Sequence, residues 1–397
     1  MLKRYKLKNY NFILVVLLIT ISTVGVLLIG SAEKSYQSKQ LLGVISGLII
    51  MIIVSLIDYS WILNFSWLLY VVNLALLIIL KTGLGKDTKG ATRWIEIGGF
   101  QFQPTELTKI ILIVFFAMFL MKHEDDLNTA KTIFTAVGLL LPPLALVITQ
   151  PDLKNTITIS VMFCAMMYLA GLSYKVIGGV LAVTVPMILI VLVIITQTDF
   201  TLPEPLDDAI GYQLERIRTW TDPDAEENSS GAIQQKNSIT AIGSGQLTGK
   251  GLNNNKVSSA NKGNFVAEIH NDFIFAVAGE ELGFIGCCAI ILILSLIVLQ
   301  CIRIGRQAKD TAGMLIACGV GTLVAFQSFL NISVATGILP NTGTTLPFVS
   351  YGVTSLWTFF IGMGLVLNVG LQNRNFVTRN EELLRRKTNY GHRIHRT

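Results

Sequence analysis

Apolar residues along this chain come in long unbroken runs, not in the spaced stripes of a soluble helix. Phe12 to Gly30 contains no ionisable residue. A soluble helix of that length would carry a polar face, and this one has none. Bilayer insertion satisfies its backbone hydrogen bonds and hides its side chains together. Ten spans are predicted, at 12–30, 41–57, 61–80, 105–121, 132–149, 154–172, 176–196, 273–300, 311–332 and 350–371. Their lengths suit a hydrocarbon core about 30 Å thick, and the eighth is long enough to tilt or to project beyond it. The expected fold is an all-α polytopic membrane protein, a single membrane domain over 1–397. The first run exceeds a usual signal-peptide h-region and a second follows closely, so it is expected to be kept as a helix.

Composition agrees. Charged residues make up 14% of the chain, against about 25% in soluble domains. The net charge of +6 does not point to nucleic acid, because the basic residues sit at the ends of apolar runs and in the tails. Lys3, Arg4, Lys6 and Lys8, then Lys122, Lys131 and Lys175, then Arg303, Arg306 and Lys309, and the basic tail 372–397 all fall on one side of a ten-span arrangement. That side is predicted to be the cytoplasm, with both termini there. The 81–104 loop carries Lys81, Lys86, Lys89 and Arg93 yet falls outside. A basic loop on that side invites an anionic ligand. The other outside loops are 31–40, 150–153, 197–272 and 337–349. The largest holds two amphipathic pieces, Tyr212 to Trp220 and Gly231 to Ile242. Each suits a short helix lying at the membrane surface.

The outside loops also carry the candidate chemistry. Pro104 is placed to open a helix as its first residue, which puts Glu106 and Lys109 on one face as an ion pair near hydrocarbon. Arg93-Trp94 reads either as an interfacial anchor or as a phosphate ligand. Gln150-Pro151-Asp152 needs no role beyond a polar turn. Gly243 to Gly251 resembles a P-loop only superficially, since Gly251 stands where a magnesium-binding Ser or Thr belongs. Its glycines instead suit turns that bring backbone close to neighbouring helices. Lys262, Glu268, His270 and Asp272 crowd the approach to the eighth span. Asp272 is either an N-cap or a reactive acid. Glu280 and Glu281 lie inside that span and must face protein or water. The five cysteines and four histidines show no metal-site spacing.

Six segments in order, GATRWI, QPTELTK, QPD, AIGSGQLTGKG, KGNFVAEIHNDFIFAVAGEELGF and TGILPNTGTTLPFVSYG, resemble the shape, elongation, division and sporulation family that includes RodA, FtsW and SpoVE. The resemblance covers nearly the whole chain. It implies a peptidoglycan glycosyltransferase in the bacterial cytoplasmic membrane that polymerises lipid II into β-1,4 glycan and releases undecaprenyl-diphosphate. It implies a divalent cation, Mg2+ or Mn2+, with unknown ligands, and a class B penicillin-binding protein as partner. Asp272 matches the family's essential acid. Arg93, Glu106, Lys109 and Asp152 match other family positions, and Lys262, Glu268, His270 and Ser350 fall within or beside its motifs as expected substrate contacts. The chain departs from the pattern at Lys154 and Val353, where the family has glycine. A lipid II flippase and a non-catalytic scaffold are the alternatives; a flippase needs polar groups through the full thickness of the membrane.

Overall fold

The computed structural model describes residues 10–81, 85–88, 91–97, 100–150, 152–180, 182, 186, 211–221, 230–253 and 269–372. Seven of its helices are long and apolar enough to cross a bilayer: α1 (Phe12–Ala32), α2 (Lys34–Leu56), α5 (Pro104–Lys122), α6 (Ala130–Ile148), α10 (Ile274–Arg306), α11 (Thr311–Ala335) and α12 (Val353–Leu371). Two shorter apolar helices, α4 (Ser66–Ile79) and α7 (Leu153–Leu169), join them, and the six-residue α3 (Tyr59–Asn64) precedes α4. Nine of the ten expected spans are thereby accounted for; most of the seventh, 176–196, lies outside the described residues. So do the basic residues before Tyr10 and nearly all of the tail after Leu371.

The bundle is built around α5, α11 and α12, which are buried on most of their faces. Phe115, Phe116, Leu323, Val324, Phe360 and Met363 lie in this core. The outer helices carry large apolar residues on their free faces, such as Leu42, Ile49, Trp67, Leu68, Phe134 and Leu292. In water such a surface would drive aggregation; in lipid it is the expected exterior.

Three boundaries differ from expectation for physical reasons. The predicted 31–40 loop is mostly helix, because Glu33 (φ −150°, ψ 101°) breaks α1 and then caps α2 through Ser35 N. Hydropathy marks where a segment leaves lipid, not where its helix stops. The third span is divided at Phe65 into α3 and α4, with Asp58 capping α3. The 81–104 loop contains an antiparallel meander of β1 (Gly85–Thr88), β2 (Ala91–Ile97) and β3 (Phe100–Phe102), in which Lys86 pairs with Trp94 and Ile95 with Phe102. This small sheet is an addition to an otherwise helical fold.

The long loop before α10 supplies α8 (Tyr212–Thr221) and α9 (Ser230–Ser244). Both amphipathic pieces are helical, and they dock on the bundle. In α9 the Ser238 hydroxyl donates to Ala335 O (2.8 Å), and Gln235 Nε2 donates to Leu339 O (2.7 Å). In α8 Trp220 Nε1 donates to Gly337 O (3.0 Å).

Helix α10 is interrupted at Gly283 (φ 66°, ψ −166°), a region of backbone space open essentially to glycine. The 245–251 turn fills the break. Lys250 N and Gly251 N donate to Glu280 O and Glu281 O (2.9 and 3.0 Å), while Phe284 N and Ile285 N donate to Gln246 O and Leu247 O (2.9 and 3.1 Å). The groups freed by the kink are thus satisfied by a second backbone. A Cβ on Gly245, Gly249 or Gly283 would overlap the facing chain. The expectation that the Gly-rich run brings backbone against a helix is met here. Beside the break, Glu280 pairs with Lys250 Nζ (2.7 Å) and Glu281 accepts from the Ser31 hydroxyl.

Candidate active site

The candidate residues that are described gather at one end of the bundle, where α5, α7 and α10 begin and the 336–352 segment folds back. Asp272 lies in the turn 269–273. Phe273, not Asp272, is the N-cap of α10, so the capping alternative falls. Asp272 is half-buried, and its carboxylate has no hydrogen bond or ion pair among the described residues. Its position is held through the backbone instead. Asn331 Nδ2 donates to Asp272 O (2.8 Å), and Tyr351 N donates to His270 O (2.9 Å). Asn331 also donates to Thr344 O (2.5 Å), so one side chain joins the Asp272 turn to the folded-back segment.

Gly343 lies against the acid. It has φ +70°, and a Cβ there would sit 3.2 Å from Asp272 Oδ2 and 3.8 Å from Arg216 Nη1. Arg216, on α8, donates from Nη1 to Asn341 O (2.6 Å). Lys154, on α7, donates from Nζ to Gly343 O (2.5 Å). Two cations from distant parts of the chain therefore meet the 341–343 turn beside Asp272. His270 stacks on Tyr36 (centroids 4.6 Å) and meets Tyr351 edge-on (5.7 Å).

Glu106 and Lys109 form the expected i, i+3 pair at 2.9 Å, and both are buried. Lys109 also donates to Gln327 Oε1 (3.1 Å), whose Nε2 reaches Thr345 Oγ1 (3.1 Å). The pair thereby ties α5 to α11 and the folded-back segment. Asp152 is buried and fully engaged. It caps α7 through Asn155 N (3.3 Å) and accepts from Asn155 Nδ2 (2.8 Å), Gln103 Nε2 (3.3 Å) and Thr105 Oγ1 (3.5 Å). Arg93 Nε donates to Gln150 O (2.9 Å), fixing β2 to the turn that carries Asp152. The Ser350 hydroxyl accepts from Leu346 N (2.7 Å) and closes a buried turn. In these positions Asp152 and Ser350 build the frame of the site. Lys262 and Glu268 lie outside the described residues.

No group of three or more His, Cys, Asp or Glu gathers among the described residues. Asp272 shares the 341–343 turn with Arg216 and Lys154, and a divalent cation there would need further oxygen donors. The described residues do not compose an all-protein ligand set for the expected Mg2+ or Mn2+. Arg216 and Lys154 escaped the sequence reading as site residues. Arg216 was visible only as a charge beside Leu214 and Ile217, and Lys154 only as a departure from a family glycine.

A mainly helical polytopic membrane fold, with an unengaged acid at a helix mouth and a buried ion pair at the same end of the bundle, is the arrangement of a membrane-embedded enzyme. Residues 5–375 match the family model described as cell cycle protein, of FtsW, RodA and SpoVE type, and the chain belongs to that family. Among its relatives, the probable peptidoglycan glycosyltransferase FtsW of Trichlorobacter lovleyi is 31% identical over 92% of this chain and 94% of that protein. Stage V sporulation protein E of Bacillus subtilis is 32% identical over 92% of this chain and 98% of its own length. Among solved structures, a chain from work on polymerisation and crosslinking by a peptidoglycan synthase complex is similar with a TM-score of 0.72 at 24% identity, covering 91% of this chain and 97% of that one. The rod shape determining protein RodA of Thermus thermophilus follows with a TM-score of 0.64 at 24% identity, over 92% and 98%. These two likenesses show the fold.

Proposed function

We propose that this chain is a peptidoglycan glycosyltransferase that polymerises lipid II into β-1,4 glycan strands on the outer face of the cytoplasmic membrane. The observation that carries the reading is Asp272: a half-buried carboxylate at a helix mouth, fixed through its backbone and engaged by no side chain among the described residues. Family membership supplies the substrate class.

The chemistry follows from the acid. The 4-hydroxyl of an acceptor sugar is a weak nucleophile at neutral pH. Asp272 takes its proton as the oxygen attacks the anomeric carbon of the donor, a step worth roughly 10²–10⁴-fold in rate. The new C–O bond forms as the bond to the diphosphate oxygen breaks, and that electron pair leaves on undecaprenyl-diphosphate. One displacement inverts the centre, so an α-linked donor gives a β link. Negative charge grows on the leaving group, and fixed cations stabilise it.

One feature speaks against a flippase and one against a scaffold. Between the polar groups at the Asp272 end and those at the opposite end, α5 runs from Ile110 to Leu120 without a polar side chain, and all of these residues but Met118 are buried. A transport path would need polar lining across that thickness. A non-catalytic scaffold, for its part, has no use for an unengaged half-buried acid. The one-sided distribution of basic residues supports a cytoplasmic position for both termini. A class B penicillin-binding protein as partner rests on the family and on the synthase-complex likeness. The test is purified wild-type protein with lipid II in detergent. Glycan strands cleaved by a muramidase, with undecaprenyl-diphosphate released, are expected. Lipid II left intact, with or without the partner, would sink the enzymatic reading.

A further inference from the structure

We infer that Asn331 is a positioning residue for the proposed base: it sets the distance between the Asp272 carboxylate and the Gly343 turn that lies against it. The inference rests on the glycosyltransferase reading and names a residue that acts through Asp272 without touching a reacting atom.

Asn331 lies in the last turns of α11 and has no exposed surface. Its Nδ2 donates to Asp272 O (2.8 Å) and to Thr344 O (2.5 Å). These two carbonyls fix which way the amide points, since the reverse orientation would set its oxygen against both. Both N–H donors are then committed, and Oδ1 accepts no hydrogen bond among the described residues. A buried acceptor left in that state lowers stability. A side chain that served the fold alone would gain nothing from that loss.

The bridge is placed where it controls the acid. Thr344 follows Gly343, and a Cβ on Gly343 would lie 3.2 Å from Asp272 Oδ2. The two bonded carbonyls therefore belong to the two pieces of chain that flank the carboxylate. The shape of the folded-back segment does not depend on Asn331. Gln235 holds Val334 O and Leu339 O (2.9 and 2.7 Å), Trp220 holds Gly337 O (3.0 Å) and Arg216 holds Asn341 O (2.6 Å). The Asp272 turn is also tied to that segment by Tyr351 N, which donates to His270 O (2.9 Å). That bond acts two residues short of the acid, and Asn331 stops residue 272 from swinging about it. A base must sit within hydrogen-bond reach of the proton it takes, and a displacement of about 1 Å costs about 10²-fold in rate.

The test is lipid II polymerisation by the purified full-length protein in detergent, each variant measured below its own melting range. Asn368→Ala is the control, because it removes an amide bridge at the opposite end of the bundle. Asn331→Ala should lower kcat about 10²-fold and leave KM for lipid II near wild type, while Asn368→Ala changes neither. In the Asp272→Asn background, Asn331→Ala should add little further loss, because a residue that acts through the carboxylate has nothing left to act on. Equal losses in both backgrounds, or a wild-type kcat in Asn331→Ala, would overturn the inference. Asn331→Ser keeps one hydroxyl donor and should fall between wild type and alanine. Where alanine does not fold, serine carries the comparison, and a wild-type kcat in it counts against the inference in the same way. A second readout needs no turnover. Carbodiimide with glycine ethyl ester labels accessible carboxyls, followed at Asp272 by mass spectrometry with the exposed Glu33 as internal standard. Asn331→Ala should label Asp272 faster than wild type and Glu33 at the same rate. Unchanged Asp272 labelling would overturn the inference, and so would equally fast labelling in Asn368→Ala, which would report general loosening. Faster labelling in Asn331→Ala, in a protein whose wild type never polymerises lipid II, would keep the hold of Asn331 on Asp272 and remove the enzymatic reading.

Discussion

The two ends of the bundle both carry acids and bases near the termini of α10, α11 and α12, and they use them differently. At the end away from Asp272, the polar groups are tied to one another. Asp310 accepts from the Tyr59 hydroxyl (2.8 Å) and Gly313 N (2.7 Å). Asp58 accepts from Gln372 Nε2 (2.8 Å), and Lys309 donates to Ser60 Oγ and Gln372 Oε1 (2.8 and 2.7 Å) while lying over the Tyr59 ring. Asn368 accepts from Tyr59 N and donates to Ser55 O. These bonds join the α2–α3 junction, the α10–α11 connection and the end of α12. At the Asp272 end the same kinds of residue leave one acid unengaged and two cations beside it. A polar group that serves the fold is satisfied inside the protein; one that serves a reaction is kept available for a reactant. On the proposed reading, Asp272 belongs to the reaction and Asp310 to the fold.

Substitutions sharpen that contrast. The largest effect is expected at Asp272. Asp272→Asn should slow lipid II polymerisation by roughly 10²–10⁴-fold, the contribution of a positioned base, read as glycan formed per unit time. Next comes the buried pair. Lys109→Ala strands Glu106 in a water-poor site, and breaking such a pair costs about 3–5 kcal/mol, measurable as a lowered Tm in detergent. Glu106→Leu combined with Lys109→Met should recover much of that stability, because an apolar pair has no charge to desolvate.

Smaller effects belong to the frame. Gly283→Ala forces a side chain into a backbone region that costs about 1–3 kcal/mol and pushes on Gly249, so Tm should fall with loosening of the 245–251 turn. Asn368→Ala, at the opposite end, leaves Tyr59 N and Ser55 O without their partner, a loss of about 1–3 kcal/mol. Its polymerisation rate, measured below its own melting range, should match wild type. A rate as low as that of Asp272→Asn would erase the division between the two ends.

Much of this was readable from the chain alone, for definite reasons. A membrane span needs a long apolar run, so α1, α5, α11 and α12 were recoverable from hydropathy. The Pro104 start of α5 and the Glu106–Lys109 pair were local enough to predict from helical spacing. Polar helix starts were not, since Lys34 to Gln40 continue α2 outside any apolar run. The break at Gly283 was hidden because Leu282 and Phe284 on either side are both apolar. Asp272 stood out because it sits at the edge of a span. Its neighbours did not, because residues 154, 216 and 343 meet only in the folded chain. The short strands of the 85–102 meander carry too little alternation to announce themselves.

The central claim is that the fold does not need the Asp272 carboxylate. It is tested most directly by the thermal melting of Asp272→Asn in a sample already shown to be inactive on lipid II, beside wild type and Asp310→Asn. Melting at the wild-type temperature, with Asp310→Asn melting lower, is the predicted result. A drop in Asp272→Asn as large as that in Asp310→Asn would contradict the account, because it would make Asp272 one more strut of the frame.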